Sequence, residues 1–217
     1  MDERESEKMK NKGFTLIELL AVITIMGILM LVAIPAVSRT IENSRRDTFA
    51  DIAHNYINAV RNAVLADNIQ CYINGREDGK EAVNASATTD GTYYFLIDTK
   101  DNVDAMKDLM ESGGKSPFGN AEMKGYVKWV KSTEYEDDNK NNNNNNEANG
   151  SEPAEKSAKK TTTKYSMLLV DSGSHGFDKE LAEAQIKRAK ISTKTTKSAD
   201  EALEELKKAK PIECELS

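Results

Sequence analysis

Histidine and cysteine are almost absent: the 217 residues hold two of each. His54, His175, Cys71 and Cys214 are scattered, with no C-x-x-C and no His-x-x-x-His. A structural zinc site is excluded, because it needs four such ligands at short spacings. No Walker A loop and no G-x-G-x-x-G exist, so the chain lacks a nucleotide-phosphate cradle and any work on it must be powered by an ATPase elsewhere. G-x-S-x-G is missing too. The nearest stretch, Ser172-Gly173-Ser174-His175-Gly176, places serine and histidine as chain neighbours in a turn, a poor arrangement for a nucleophile and its base. Asp98, Asp101, Asn102 and Asp104 carry oxygen ligands, but their spacing is not that of an EF-hand and reads as a solvated turn. Positive charge is not in excess either: 30 Lys+Arg stand against 36 Asp+Glu, a net −6, which disfavours a nucleic-acid partner. The expectation is a chain that is not an enzyme, with no catalytic residue, no metal and no cofactor.

What is present is unevenly distributed. Apolar residues make up 38% of the chain, yet residues 14–37 are nearly all apolar and 134–164 nearly all polar. The first run, FTLIELLAVITIMGILMLVAIPAV, spans Phe14 to Val37. Its uncharged part, Leu19 to Val37, reaches roughly 28 Å as a helix, close to the hydrocarbon thickness of a bilayer. Lys8, Lys10 and Lys12 directly precede it, and the positive-inside rule then holds the N-terminus in the cytoplasm and sends the rest outward. A signal peptide cut near Ala36-Val37-Ser38 is the rival reading. The run is longer than usual for that, and it contains a charge.

That charge is Glu18. A carboxylate within such a run costs about 2.5–3.5 kcal/mol on insertion scales and has no partner in its own segment. It can snorkel to the inner interface, or a cation from another chain can neutralise it. Gly13 sits just before the run, where helix propensity favours almost any other residue, and an extended glycine at that border suits entry into a protease.

Lys12-Gly13-Phe14-Thr15-Leu16-Ile17-Glu18 resembles the class III signal of type IV pilins and pseudopilins, and the likeness extends over about 25 residues to Gly27 and Pro35. The resemblance implies a prepilin cleaved between Gly13 and Phe14 by a membrane prepilin peptidase, which then N-methylates Phe14. The mature chain has 204 residues. Glu18 becomes an assembly group, pairing with the Phe14 amine of a neighbouring subunit. Gly27 and Pro35 become weak points or kinks in the membrane helix.

Beyond the membrane the helical pattern continues to about Asn68. Ile41, Phe49, Ile52, Ala53, Tyr56, Val60, Ala63 and Val64 recur at spacings of mostly three and four, one apolar face. Residues 69–91 read as loop, with turns at Asn74-Gly75 and Asp78-Gly79. Strands are expected at Tyr93–Ile97, Tyr126–Lys131 and Lys164–Val170, the last two paired antiparallel, with a short helix at Val103–Met110 ended by Gly113-Gly114 and a turn at Ser116–Gly119. Two C-terminal helices are expected: Asp178–Lys190, and one opened by the capping box Ser198-Ala199-Asp200-Glu201 and ending near Ala209, before Pro211. Cys71 and Cys214 are either two free thiols or, outside the cell, a disulfide contributing about 4–5 kcal/mol on the chain-entropy model. A bond of that kind clips the tail to the top of the helix.

The expected architecture is α+β and pilin-like: a long N-terminal helix on a small antiparallel sheet, with extra C-terminal helices. Its divisions are a leader (1–13), a transmembrane half-helix (14–38), an amphipathic half-helix (39–69) and a head (70–217) with a disordered insertion at about 134–162. The expected function is structural, as a subunit of a type IV pilus (fimbrium) or related filament. The alternatives are a pseudopilin of a type II secretion or DNA-uptake (competence) system, and a membrane-anchored extracellular binding module that never polymerises. Expected partners are other copies and related pilins, the prepilin peptidase, a membrane assembly platform and, before assembly, membrane lipid. The expected location is a single-pass cell membrane, then an extracellular filament.

Overall fold

The computed structural model describes residues 13–72, 82–99, 115–119, 122–135, 158–208 and 212–216. The chain divides into two units, Met1–Ser44 and Arg45–Ser217. Helix α1, Leu16–Leu65, supplies the whole described part of the first unit beyond residue 15. There its apolar side chains are open: Phe14 is 93% exposed and Leu31 77%.

In the second unit α1 buries Phe49, Ala50, Ile52, Ala53, Tyr56, Ile57, Val60 and Ala63, at the helical spacing of three and four. Ile41, expected on that stripe, is 49% exposed and belongs to the first unit. The helix stops at Leu65, short of Asn68, for a local reason. Asp67 takes the left-handed conformation (φ 57°), Asn68 N–H donates to Ala63 O at 2.9 Å, and Asp67 N–H donates to Val64 O at 3.3 Å. This is a Schellman cap with aspartate where glycine is usual. The Asp67 carboxylate accepts from Ser86 N–H and Oγ, both at 2.8 Å, and the Ser86 N–H holds it below the ordinary aspartate range.

Six strands follow: β1 Ile69–Tyr72, β2 Gly91–Asp98, β3 Met123–Tyr135, β4 Ala158–Asp171, β5 Leu181–Ala182 and β6 Ile212–Leu216, with helix α2, Ala199–Lys208, before the last. They form one sheet in the order β1-β6-β2-β3-β4-β5. The pairs are antiparallel except β2–β6, which is parallel. The sheet is therefore mixed, because the C-terminal strand inserts between β1 and β2.

Strand alternation sorts the side chains. Tyr93, Phe95 and Ile97 of β2, Val127 and Trp129 of β3, and Met167 and Leu169 of β4 are buried in one core with the α1 stripe. On the opposite face Lys124 reaches Asp200 of α2 at 2.6 Å, and Leu203 and Leu206 of α2 are buried. Gly125 (φ +159°) fits where β3 and β4 touch: a Cβ there would lie 2.0 Å from Leu168 O.

Three further expectations change. Residues 69–91 are not all loop: Ile69-Gln70-Cys71-Tyr72 alternates inward and outward as β1, and Val83 bridges to Cys71. The segment 134–162 is entered by strand at both ends, since β3 runs to Tyr135 and β4 starts at Ala158. The β-branched Thr161, Thr162 and Thr163 suit a strand, and hydroxyls pair across it, Ser132 with Thr162 at 2.8 Å and Thr133 with Thr161 at 3.3 Å. Asp178–Lys190 is not an α-helix. It is β5 and two 3₁₀ turns, Glu183–Gln185 and Arg188–Lys190, because its buried anchors Leu181, Ile186 and Ile191 come five residues apart, off the helical period. Instead it runs as a strap against α1. Glu183 pairs with Arg61, Ile186 O lies 3.2 Å from His54 Nε2, and Arg188 pairs with Asp47 at 3.0 Å. The three α1 residues are seven apart, hence on one face, and the strap runs antiparallel to the helix. The helix after Ser198 forms as expected, with reciprocal Ser198–Glu201 bonds at 2.8 and 3.2 Å. The expected helix at Val103–Met110, its Gly113-Gly114 stop, Asn74-Gly75, Asp78-Gly79 and Pro211 lie outside the described residues.

Candidate functional site

Gly13 and Phe14 precede α1 in non-helical conformation, and a Cβ on Gly13 would meet nothing within 4 Å. The helix begins one residue after Thr15, and Thr15 is its cap. Thr15 N–H and Oγ1–H donate to Glu18 Oε2 at 2.8 and 2.9 Å, and Glu18 N–H donates to Thr15 Oγ1 at 3.3 Å. This capping box satisfies donors that a helix N-terminus otherwise leaves open, which matters most where water is scarce. Glu18 thus has a partner inside its own segment, contrary to the expectation from charge alone. Oε1 has no hydrogen bond or ion pair among the described residues and remains available to a cation.

Thr15 is the residue that reasoning from the cost of a buried charge passes over. Its signal was present: Thr15-x-x-Glu18 has the same form as Ser198-x-x-Glu201. Further along, Thr24 Oγ1 donates to Ala21 O at 2.8 Å and Thr40 Oγ1 to Ala36 O at 3.1 Å, so these hydroxyls are satisfied within the helix. Pro35 lies inside α1, and around Gly27 a Cβ would meet nothing. The Ala36-Val37-Ser38 stretch is helical. By length and composition α1 is apolar enough to cross a membrane.

Cys71 and Cys214 form a disulfide. The pairing geometry explains it. Cys71 exchanges both backbone hydrogen bonds with Val83, at 2.8 and 3.0 Å, so the side of Cys71 facing β6 is a non-hydrogen-bonded position. Such pairs bring side chains closest, and the Cα atoms are 4.1 Å apart. The bond lies in the buried layer and ties the first strand after α1 to the C-terminal strand.

The Ser172–Gly176 turn is built around Asp171, which is 1% exposed. Its carboxylate accepts from Ser116 Oγ at 2.6 Å and from His175 N–H at 2.8 Å, and His175 Nδ1 lies 3.0 Å away. The imidazole stacks on Phe118 at 4.2 Å. The histidine is spoken for by Asp171 rather than by either neighbouring serine, and the arrangement fastens a turn. Asp98 pairs with Lys124 at 3.5 Å, while Asp101, Asn102 and Asp104 lie outside the described residues. Glu180 accepts from Lys128 at 2.9 Å, Ser166 at 2.7 Å and Tyr126 at 3.1 Å. Burial raises its carboxyl, but the Lys128 and Ser166 bonds outweigh that and hold it below the ordinary glutamate range. Burial, then the Glu180 charge, pushes the Tyr126 hydroxyl well up.

Residues 8–34 match the prokaryotic N-terminal methylation motif, so the chain carries the class III signal of type IV pilins and pseudopilins. No curated protein and no solved structure matches the chain. The matched signal is that of a pilin-type structural precursor. It implies processing by a prepilin peptidase, assembly with other pilins and membrane anchoring.

Proposed function

We propose that the chain is made as a prepilin, cleaved between Gly13 and Phe14, N-methylated on Phe14, and polymerised through α1 as a non-enzymatic subunit of a type IV pilus or related filament. Hydrolysis of the Gly13–Phe14 amide leaves a carboxylate on Gly13 and an ammonium on Phe14. The observation that carries the reading is the junction itself. An uncrowded Gly13 is followed, after Phe14 and the cap residue Thr15, by a membrane-length apolar stretch of α1 whose one acid, Glu18, keeps Oε1 without a partner among the described residues.

Assembly follows from charge. An ammonium on Phe14 of one subunit and the open Oε1 of Glu18 on its neighbour attract strongly in a low-dielectric filament core, which fixes one axial register. Lysines before the helix hold the precursor with its N-terminus inside and the head outside until cleavage. The test is composition of filaments sheared from the native cells. Recovery of the chain there as the dominant species supports a major pilus subunit, trace recovery a minor one or a pseudopilin. Complete retention in the membrane fits an anchored binding module and counts against the proposal.

A further inference from the structure

The β3–β4 hairpin outruns its neighbours. β2 pairs with β3 only as far as Gly91↔Lys131, and β5 pairs with β4 only at Ser166 and Met167. Beyond these, Ser132–Glu134 pair with Lys160–Thr162, Thr163 pairs with Lys131 where β2 ends, and β4 has an open side among the described residues. Backbone parity shows which groups face it. Leu169 O accepts from Phe177 N–H and Asp171 N–H donates to His175 O, both on the side away from β3. Odd-numbered residues of β4 therefore turn their N–H and C=O outward. Thr161 and Thr163 each present such a pair, with no partner among the described residues, about 7 Å apart. Lys160, Thr161, Thr163 and Lys164 are exposed.

The side chains restrict what can dock there. Lys160, Thr162 and Lys164 share one face. Lys160 faces Glu134 across the hairpin, but Lys164 faces Val130 and has no acid opposite. A second copy laid antiparallel about Thr162 would set Lys160 against Lys164 twice, and like charges directly opposite are destabilising. An extended strand with acids four residues apart would instead place a carboxylate beside each lysine. We propose that the open edge of β4 takes an extended acidic segment of another protein by strand addition. Thr161 and Thr163 supply the main-chain bonds, and Lys160 and Lys164 select carboxylates and reject a second copy. This surface is independent of how the N-terminus is processed.

The test uses the full chain in detergent and two synthetic Thr/Val peptides, one with two glutamates four residues apart and one with lysines in their place. The glutamate peptide is expected to bind, to slow amide exchange at Thr161 and Thr163, and to weaken as salt rises. Lys164→Glu should shift preference toward the lysine peptide by about tenfold. The proposal is overturned by absence of binding, which leaves the lysines as mere guards of the edge. It is equally overturned by binding without protection at the two threonines, by indifference to Lys164→Glu, or by self-association of the wild-type chain that protects the same amides.

Discussion

Thr15 N–H donates to Glu18 Oε2 at 2.8 Å, and Glu18 N–H returns a bond to Thr15 Oγ1 at 3.3 Å. The acid at the fifth residue of the apolar run is thus a helix cap as well as a candidate docking charge. The two roles separate by substitution. Glu18→Gln keeps an acceptor for Thr15 and loses the charge; Glu18→Val loses both, with a cap contribution of about 1 kcal/mol. Both variants are expected to insert in the membrane at least as well as wild type and to assemble poorly. Filament yield from Glu18→Gln equal to wild type would assign the residue to capping alone.

Gly13 has open space around it, so a larger side chain there does not disturb the fold. Gly13→Leu should therefore accumulate full length in the membrane with an unchanged melting temperature, read by mass and by thermal melt. Normal conversion to a shorter form would place the cut elsewhere.

The Cys71–Cys214 bond closes a separation of 143 residues. Replacing both with serine should lower stability by about 2–5 kcal/mol. A thermal melt of the full chain in detergent checks this, and an unchanged midpoint would mean that β6 is held by the sheet alone.

Glu180 contributes through a depressed pKa. Its folded value lies below its unfolded one, so its stabilisation is present above the unfolded pKa of about 4.5 and is lost as pH falls through the folded value. Glu180→Gln should melt lower than wild type at pH 7, and the gap should narrow as pH falls below 4.5 and through the lower folded value. A gap constant with pH would show that Lys128, Ser166 and Tyr126 do not favour the ionised form.

A Cβ at Gly125 would lie 2.0 Å from Leu168 O, on a backbone with φ +159°. Gly125→Ala should cost about 1–3 kcal/mol and loosen the β3–β4 pair. Denaturant unfolding measures it; a neutral effect would mean that the two strands separate freely there.

The parts legible in the sequence are those with local signals. The signal around Gly13 and Glu18 is dense and nearly contiguous, and Tyr126–Lys131 and Lys164–Val170 alternate plainly enough to be matched as β3 and β4. Ser198 and Glu201 announce their helix by a four-residue rule. The strap from Asp178 to Lys190 was not legible as such, because its anchors Leu181, Ile186 and Ile191 fit no regular period and its partners Asp47, His54 and Arg61 are distant in sequence. β6 hid for a similar reason. Ile212–Leu216 is short, and its place between β1 and β2 is set by pairing with Cys71 and Phe95, over 100 residues away. Thr15 differs: the spacing Thr15-x-x-Glu18 carries a capping signal, but the cost of Glu18 in a membrane points to a partner outside the segment.

The most direct measurement is N-terminal sequencing with intact mass on the protein from its native membrane. A start at Phe14 carrying one added methyl group is the predicted result. A start at Met1 would leave a plain membrane anchor, and a start after Ser38 would make the apolar run a secretory signal; either contradicts a prepilin processed at Gly13.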